Sequence, residues 1–184
     1  MKNILFIATF LMLVGQLSAQ RFMTKNGFAK FYSETPMETI EAKNQQVNSA
    51  YDYTNGTIVF KVLMKSFEFE KALMQEHFNE NYMESDTYPI ATFKGKVLNN
   101  KDIDLSKNGE IEVQVKGTLK MHGVSQEIET TGKMDIQKGS IHAFAKFGVK
   151  PEDYHIEIPG AVVKNIAESM EVTIDVNLKE LVKK

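Results

Sequence analysis

The side chains able to do chemistry are few, and their spacing does not suit a reaction. His77, His122, His142 and His155 are the only imidazoles. A metal centre needs its ligands on one face, as in an H-x-x-x-H or H-E-x-x-H helix, and none of the four has such a neighbour. The absence of cysteine excludes disulfides, thiolate metal sites and a cysteine nucleophile. No G-x-S-x-G or S-x-x-K run offers an activated serine. His122 stands in Met121-His122-Gly123-Val124 and reads as a corner residue, because histidine tolerates left-handed backbone better than most residues. His142 is expected on an outer face opposite Asp135, a surface pair of small energetic weight. The expectation is therefore no catalytic residue, no metal and no cofactor. An enzyme acting on a small apolar substrate would need one of these histidines to meet a carboxylate in the interior.

The elements that carry these residues are mostly strands, since apolar and polar residues alternate along much of the chain. A two-residue turn at His122-Gly123 sets Met121 opposite Val124, Leu119 opposite Gln126, Gly117 opposite Ile128, Val115 opposite Thr130 and Val113 opposite Gly132. The other face pairs Lys116 with Glu129 and Glu112 with Lys133, opposite charges worth a few tenths of a kcal/mol each. Lys138-Gly139 predicts a second tight turn, with Ile136 opposite Ile141, Met134 opposite Ala143, Gly132 opposite Ala145 and Thr130 opposite Phe147. Both turns give the middle strand the same inner face. Asn55-Gly56 predicts a third hairpin, with Tyr53 opposite Ile58, Tyr51 opposite Phe60, Ser49 opposite Val62 and Val47 opposite Met64. Strands around Phe28, Ile40, Phe93 and Val172 bring the total to about eight, mostly antiparallel, which suits a closed barrel or a sandwich. Glu70–Glu84 spaces Met74, Phe78 and Tyr82 four apart and predicts an amphipathic helix. The segment after Pro159 predicts a short second helix or turn.

The inner face of the best-defined strands carries no titratable group. It does carry small residues, including Gly95, Gly117, Gly132, Ala91, Ala143 and Ala145. About eight strands enclose a space that side chains can fill or that one ligand can occupy. The pattern leaves both open: an apolar cavity, or a filled core serving a structural or interaction module.

Composition narrows the partners. The chain has 184 residues and a net charge of −2, with no basic cluster, so nucleic acid and anionic surfaces are not expected as the main partner. Lys2, the apolar run from Ile4 to Val14 and Ala19 form a secretory leader pattern over residues 1–19, with one domain over 20–184. The run is too short for an integral membrane span. The expected location is periplasmic or secreted.

Three stretches together resemble the YceI-like family: Glu76–Val97, Val115–Glu129 and Lys146–Pro159, in the family's order. His77, Tyr88, Pro89 and Phe93 resemble its helix histidine and Tyr-Pro-x-x-x-Phe strand start. Gly117, Leu119, His122, Gly123 and Val124 resemble its Gly-x-Leu-x-x-His-Gly-Val hairpin. Met74-Gln75 stands where many members carry Arg-Asp. The resemblance implies an all-β, lipocalin-like antiparallel barrel, secreted and polyisoprenoid-binding, with an elongated pocket closed near the helix. The inward positions expected to wall that pocket are Phe60, Val62, Met64, Phe93, Val115, Gly117, Leu119, Ile128, Ala143, Phe147, Val172 and Ile174. The expected partner is a long-chain isoprenoid or other amphiphilic lipid; a homodimer is left open.

Overall fold

The computed structural model describes residues 20–181. The expected leader, residues 1–19, lies outside the described residues. The strands are β1 (Arg21–Glu34), β2 (Thr39–Asp52), β3 (Thr57–Leu63), β4 (Glu68–Phe69), β5 (Ile90–Val97), β6 (Gly109–Met121), β7 (Val124–Gln137), β8 (Ser140–Val149) and β9 (Met170–Glu180). Every pairing is antiparallel, and the order β1-β9-β8-β7-β6-β5-β3-β2 closes because β2 returns to β1. β4 is a two-residue addition beside β2.

The β6–β7 register is the one that the alternation predicts, from Met121↔Val124 to Val113↔Gly132. Gly123 has φ +77° and His122 has φ +51°, so the corner takes the left-handed backbone that a two-residue hairpin requires. Lys116 pairs with Glu129 at 3.1 Å. Lys133 lies opposite Glu112 but bonds the diagonal Glu110 at 2.8 Å. The Lys138-Gly139 hairpin also keeps its register from Ile136↔Ile141 to Gly132↔Ala145.

One expected pair and the register of one expected hairpin are corrected. Thr130 does not pair with Phe147, because the β7–β8 ladder ends at Gly132↔Ala145. Beyond that point the hairpin end of β7 packs on a 3-10 turn, Pro151–Tyr154. Gln126 Nε2 donates to the Asp153 carbonyl at 2.7 Å, and His122 Nδ1 donates to that of Tyr154 at 3.0 Å. In the Asn55-Gly56 hairpin, Tyr51 faces Ile58 and Ser49 faces Phe60, two residues from the predicted register. The Asp52 carbonyl accepts from the Gly56 N–H at 2.9 Å, and Asp52 Oδ1 accepts from the Thr54 N–H at 3.1 Å, so residues 53–56 all belong to the turn. Tyr53 is held outside the ladder by its hydroxyl, which donates to the Ile103 carbonyl at 2.8 Å. A shift of two preserves the faces, so every inward residue stays inward.

The helix is shorter than its pattern. α1 (Ala72–His77) runs into a π-turn over Phe78–Tyr82, which still turns Met74, Phe78 and Tyr82 to the interior. The expected second helix is only a 3-10 turn, Val163–Asn165. Its bonds run from the Val162 N–H to Pro159 and from the Asn165 N–H to Val162, a three-residue spacing that does not propagate.

One end of the barrel is packed solid. Tyr51, Met134, Ile141, Val176 and Leu178 are buried there, near the tips at residues 53–56 and 138–139. The Tyr51 hydroxyl donates to Asn100 Oδ1, and Asn100 Nδ2 donates to the Tyr53 carbonyl. Burial holds the Tyr51 phenol well above the ordinary tyrosine range and pushes that of Tyr154 up to about 12. Both rings stay neutral in the fold, whereas an unfolded tyrosine ionises near pH ~10. Their contribution is therefore complete below about pH 10 and is lost as pH rises towards the folded values. Thermal melts at about pH 8 and about pH 11 are expected to show the lower midpoint at the higher pH.

Asn44 marks a bulge in β2, between the Gly27↔Val47 and Ala29↔Asn44 pairs. It is fully buried; its Nδ2 donates to the Leu63 carbonyl at 2.9 Å and its Oδ1 accepts from the Gln46 N–H at 2.8 Å. Asn44→Ala strands both backbone groups. A loss of about 2 kcal/mol is expected, read from the urea midpoint.

Candidate functional site

The other half of the barrel is hollow. It holds a cavity of about 340 Å³, within the usual range for ligand pockets. Phe60, Val62, Phe93, Val115, Leu119, Ile128, Phe147, Val172 and Ile174 point inward here; they pack on the core at their sides, as Phe60 does on Phe93, and are only partly buried because they also border open space. Met64 is buried in the same wall, and Ala143 forms part of the floor where hollow meets plug. Of the positions expected from the alternation, all but Gly117 therefore line one cavity.

Gly117 is the correction. It faces Gly95 across the β5–β6 ladder, and a Cβ built on it would lie 2.3 Å from the Gly95 Cα and 2.8 Å from Cζ of Phe93. The two glycines let the Phe93 ring lie over their backbones. Their missing side chains are filled by Phe93 and leave no room for a ligand.

The alternation also missed part of the wall. Phe31, Phe67, Phe69 and Phe78 form an aromatic cluster with centroids 5.0–5.7 Å apart, and all four line the cavity. The cluster joins β1 and β4 to the helical cap and anchors a helix too short to be stable alone. Its sequence signal was the run Phe67-Glu68-Phe69-Glu70, a period-two pattern beside the helix. Pro151, Ile156, Ile158, Val162 and Ile166 complete the wall from the connection between β8 and β9. That connection has no regular period to read.

Polar groups reach the cavity mainly at its mouth, and Lys30, Glu38 and Asn165 among them are paired. Lys30 Nζ bonds Glu41 at 3.1 Å. Glu38 Oε1 accepts from Lys71 Nζ at 3.2 Å, and its Oε2 accepts from Asn165 Nδ2 at 3.2 Å. Glu38 thus fastens the β1–β2 turn to the start of α1 and to the Val163–Asn165 turn. The Ala167 N–H donates to Ser33 Oγ beside it at 2.8 Å. Glu38→Ala is expected to speed amide exchange over Val162–Ala167 several-fold, with less than about 1 kcal/mol lost from global stability.

Two of the histidines meet outside the barrel cavity: His122 and His155 share a small polar pocket with Glu84 and Glu157, with His122 Nε2 3.9 Å from Glu84 Oε2, while His77 and His142 stand apart. His77 sits exposed at the mouth. His122 is a corner residue and also a tie: beyond its bond to Tyr154 it packs on the Tyr88 ring with centroids 4.6 Å apart. His142 lies opposite Asp135 as expected, but its Nε2 bonds Asp175 of β9 at 2.8 Å. His155, at φ +56°, ends the Pro151–Tyr154 turn. Among the described residues no group of three His, Asp or Glu is placed to hold a metal ion.

A closed antiparallel barrel, plugged at one end and hollow beneath a short helix at the other, is a lipocalin-like barrel. The cavity is mostly apolar, so burial is the main force it offers a ligand. The chain belongs to the YceI-like domain family, whose model matches residues 18–178. It is similar in structure to a polyisoprenoid binding domain from Saccharophagus degradans implicated in plant cell wall breakdown, with TM-score 0.77 and 17% identity, covering 89% of this chain and 99% of that one. It is also similar to BcnA of Burkholderia cenocepacia, with TM-score 0.67 and 12% identity over 85% and 96% of the two chains. The YCEI protein of Campylobacter jejuni follows, with TM-score 0.59 and 16% identity over 77% and 85%. No curated protein matches the chain.

Proposed function

We propose that this protein is an exported, non-enzymatic carrier that holds a long-chain isoprenoid or similar amphiphilic lipid inside its barrel. The observation that carries this reading is the hollow, apolar half of the barrel, enclosed by inward side chains and a helical cap. Burial supplies about 0.8 kcal/mol per methylene, so a buried run of about ten gives about 8 kcal/mol. A hydrogen bond to a head group adds only about 1 kcal/mol. The chain of the ligand therefore sets the affinity, in keeping with the polyisoprenoid binding attributed to the Saccharophagus degradans domain. The leader pattern over residues 1–19 supports export.

Native mass spectrometry of protein purified from its own host, followed by lipid extraction, tests the reading. A bound lipid of isoprenoid mass spacing is the expected result. Repeated recovery of an unliganded protein that also refuses added geranylgeraniol would refute it.

A further inference from the structure

Three exposed apolar side chains stand around the mouth of the cavity. Met37 is 70% exposed, Leu73 60% and Val163 51%. They lie on three segments, the β1–β2 turn, α1 and the Val163–Asn165 turn, which the Glu38 bonds draw together. Glu38 follows Met37, Lys71 stands two residues before Leu73, and Asn165 two after Val163. Glu38, Met74 and Val162, each next in the chain to one of the three, line the cavity itself. The exposed rim is therefore continuous with the apolar interior.

The charges at the rim fit a particular surface. Pro159–Ala167 carries one charged residue, the exposed Lys164, in a protein that is 25% charged overall. Lys71 adds a second cation beside Leu73, its side chain 65% exposed even while paired with Glu38. Apolar tips flanked by ammonium groups match the acyl boundary of a bilayer, with lipid phosphates directly above it.

We infer that this rim docks on a phospholipid bilayer, with Met37, Leu73 and Val163 entering the acyl boundary and Lys71 and Lys164 meeting lipid phosphates. Docking sets the cavity mouth against the membrane, so a lipid chain passes between bilayer and barrel without crossing water. The inference rests on the lipid-binding reading, and the two can be separated by experiment.

Flotation of the purified protein with vesicles of phosphatidylethanolamine and phosphatidylglycerol tests docking. Uptake of geranylgeraniol delivered from dilute detergent, read by native mass spectrometry, tests the cavity alone. The combined variant Met37→Ser, Leu73→Ser, Val163→Ser is expected to float at least about tenfold less than wild type. Its detergent-delivered uptake and far-UV spectrum are expected to stay unchanged. Leu98→Ser, which removes a 51%-exposed leucine just after β5 at the plugged end, is expected to float like wild type. Docking is overturned if the wild type does not float, or if the triple variant floats as well as it does. Rim-dependent flotation without any geranylgeraniol uptake would uphold docking and sink the carrier reading.

Discussion

Ala143→Trp is expected to weaken uptake of a long-chain lipid by about two orders of magnitude while the barrel still folds. Ala143 lies in the cavity floor between Met134 of β7 and Val176 of β9, both buried in the plug. The residue is 8% exposed, and it lines the cavity. An indole at this position stands where the end of a bound chain would lie. Displacing about four methylenes removes about 3 kcal/mol, somewhat over a hundredfold in affinity. Crowding the floor costs about 1–3 kcal/mol of stability, visible as a lower melting temperature with one cooperative transition. Geranylgeraniol titration followed by native mass spectrometry measures the first effect, and circular dichroism the second. Wild-type uptake by a folded Ala143→Trp protein would remove this floor from the binding site.

Gly117→Leu should do the reverse: it attacks the fold before it touches the cavity. A Cβ at this position would stand 2.5 Å from the Lys94 carbonyl oxygen as well as against Gly95. Those are backbone atoms in a continuous ladder, so no rotamer change relieves the contact. The Phe93 ring must leave its seat over the two glycines, and β5 must move from β6. More than about 4 kcal/mol is expected to be lost, enough to leave much of the protein unfolded. Gly117→Ala, with less bulk but the same first contact, is expected to lose at least about 2 kcal/mol. Urea unfolding distinguishes the outcomes, and near-wild-type midpoints for both variants would show that the strands can part there without cost.

These two positions show what the sequence could and could not display. Alternation identifies the inward face, and two-residue turns fix the register wherever a left-handed corner is available. That is why β6, β7 and the paired part of β8 were legible residue by residue. The Asn55-Gly56 hairpin slipped by two because the side chain of Asp52 and the distant carbonyl of Ile103 decide the turn's length. Inwardness says nothing about whether the facing wall is near. Gly117 and Ala143 are both small and inward, yet an aromatic ring fills the space at one and a cavity opens above the other. Phe31 escaped because its contacts with Phe67, Phe69 and Phe78 join segments far apart in the chain, and Phe67 and Phe69 because the two-residue β4 is too short to establish a period. The cavity ceiling escaped for a different reason: a 3-10 turn and an irregular connection have no period to detect.

The division of the barrel into a plug and a hollow has a consequence for how such proteins can change. Substitutions in the plug are judged by packing, and most are rejected by the loss of stability they bring. Substitutions along the hollow wall remove few contacts, because many of those side chains face open space. They alter the length, width and taper of the chamber at little cost to folding. A lineage can therefore change what the chamber accommodates by drift in the hollow half, while the plug preserves the barrel around it.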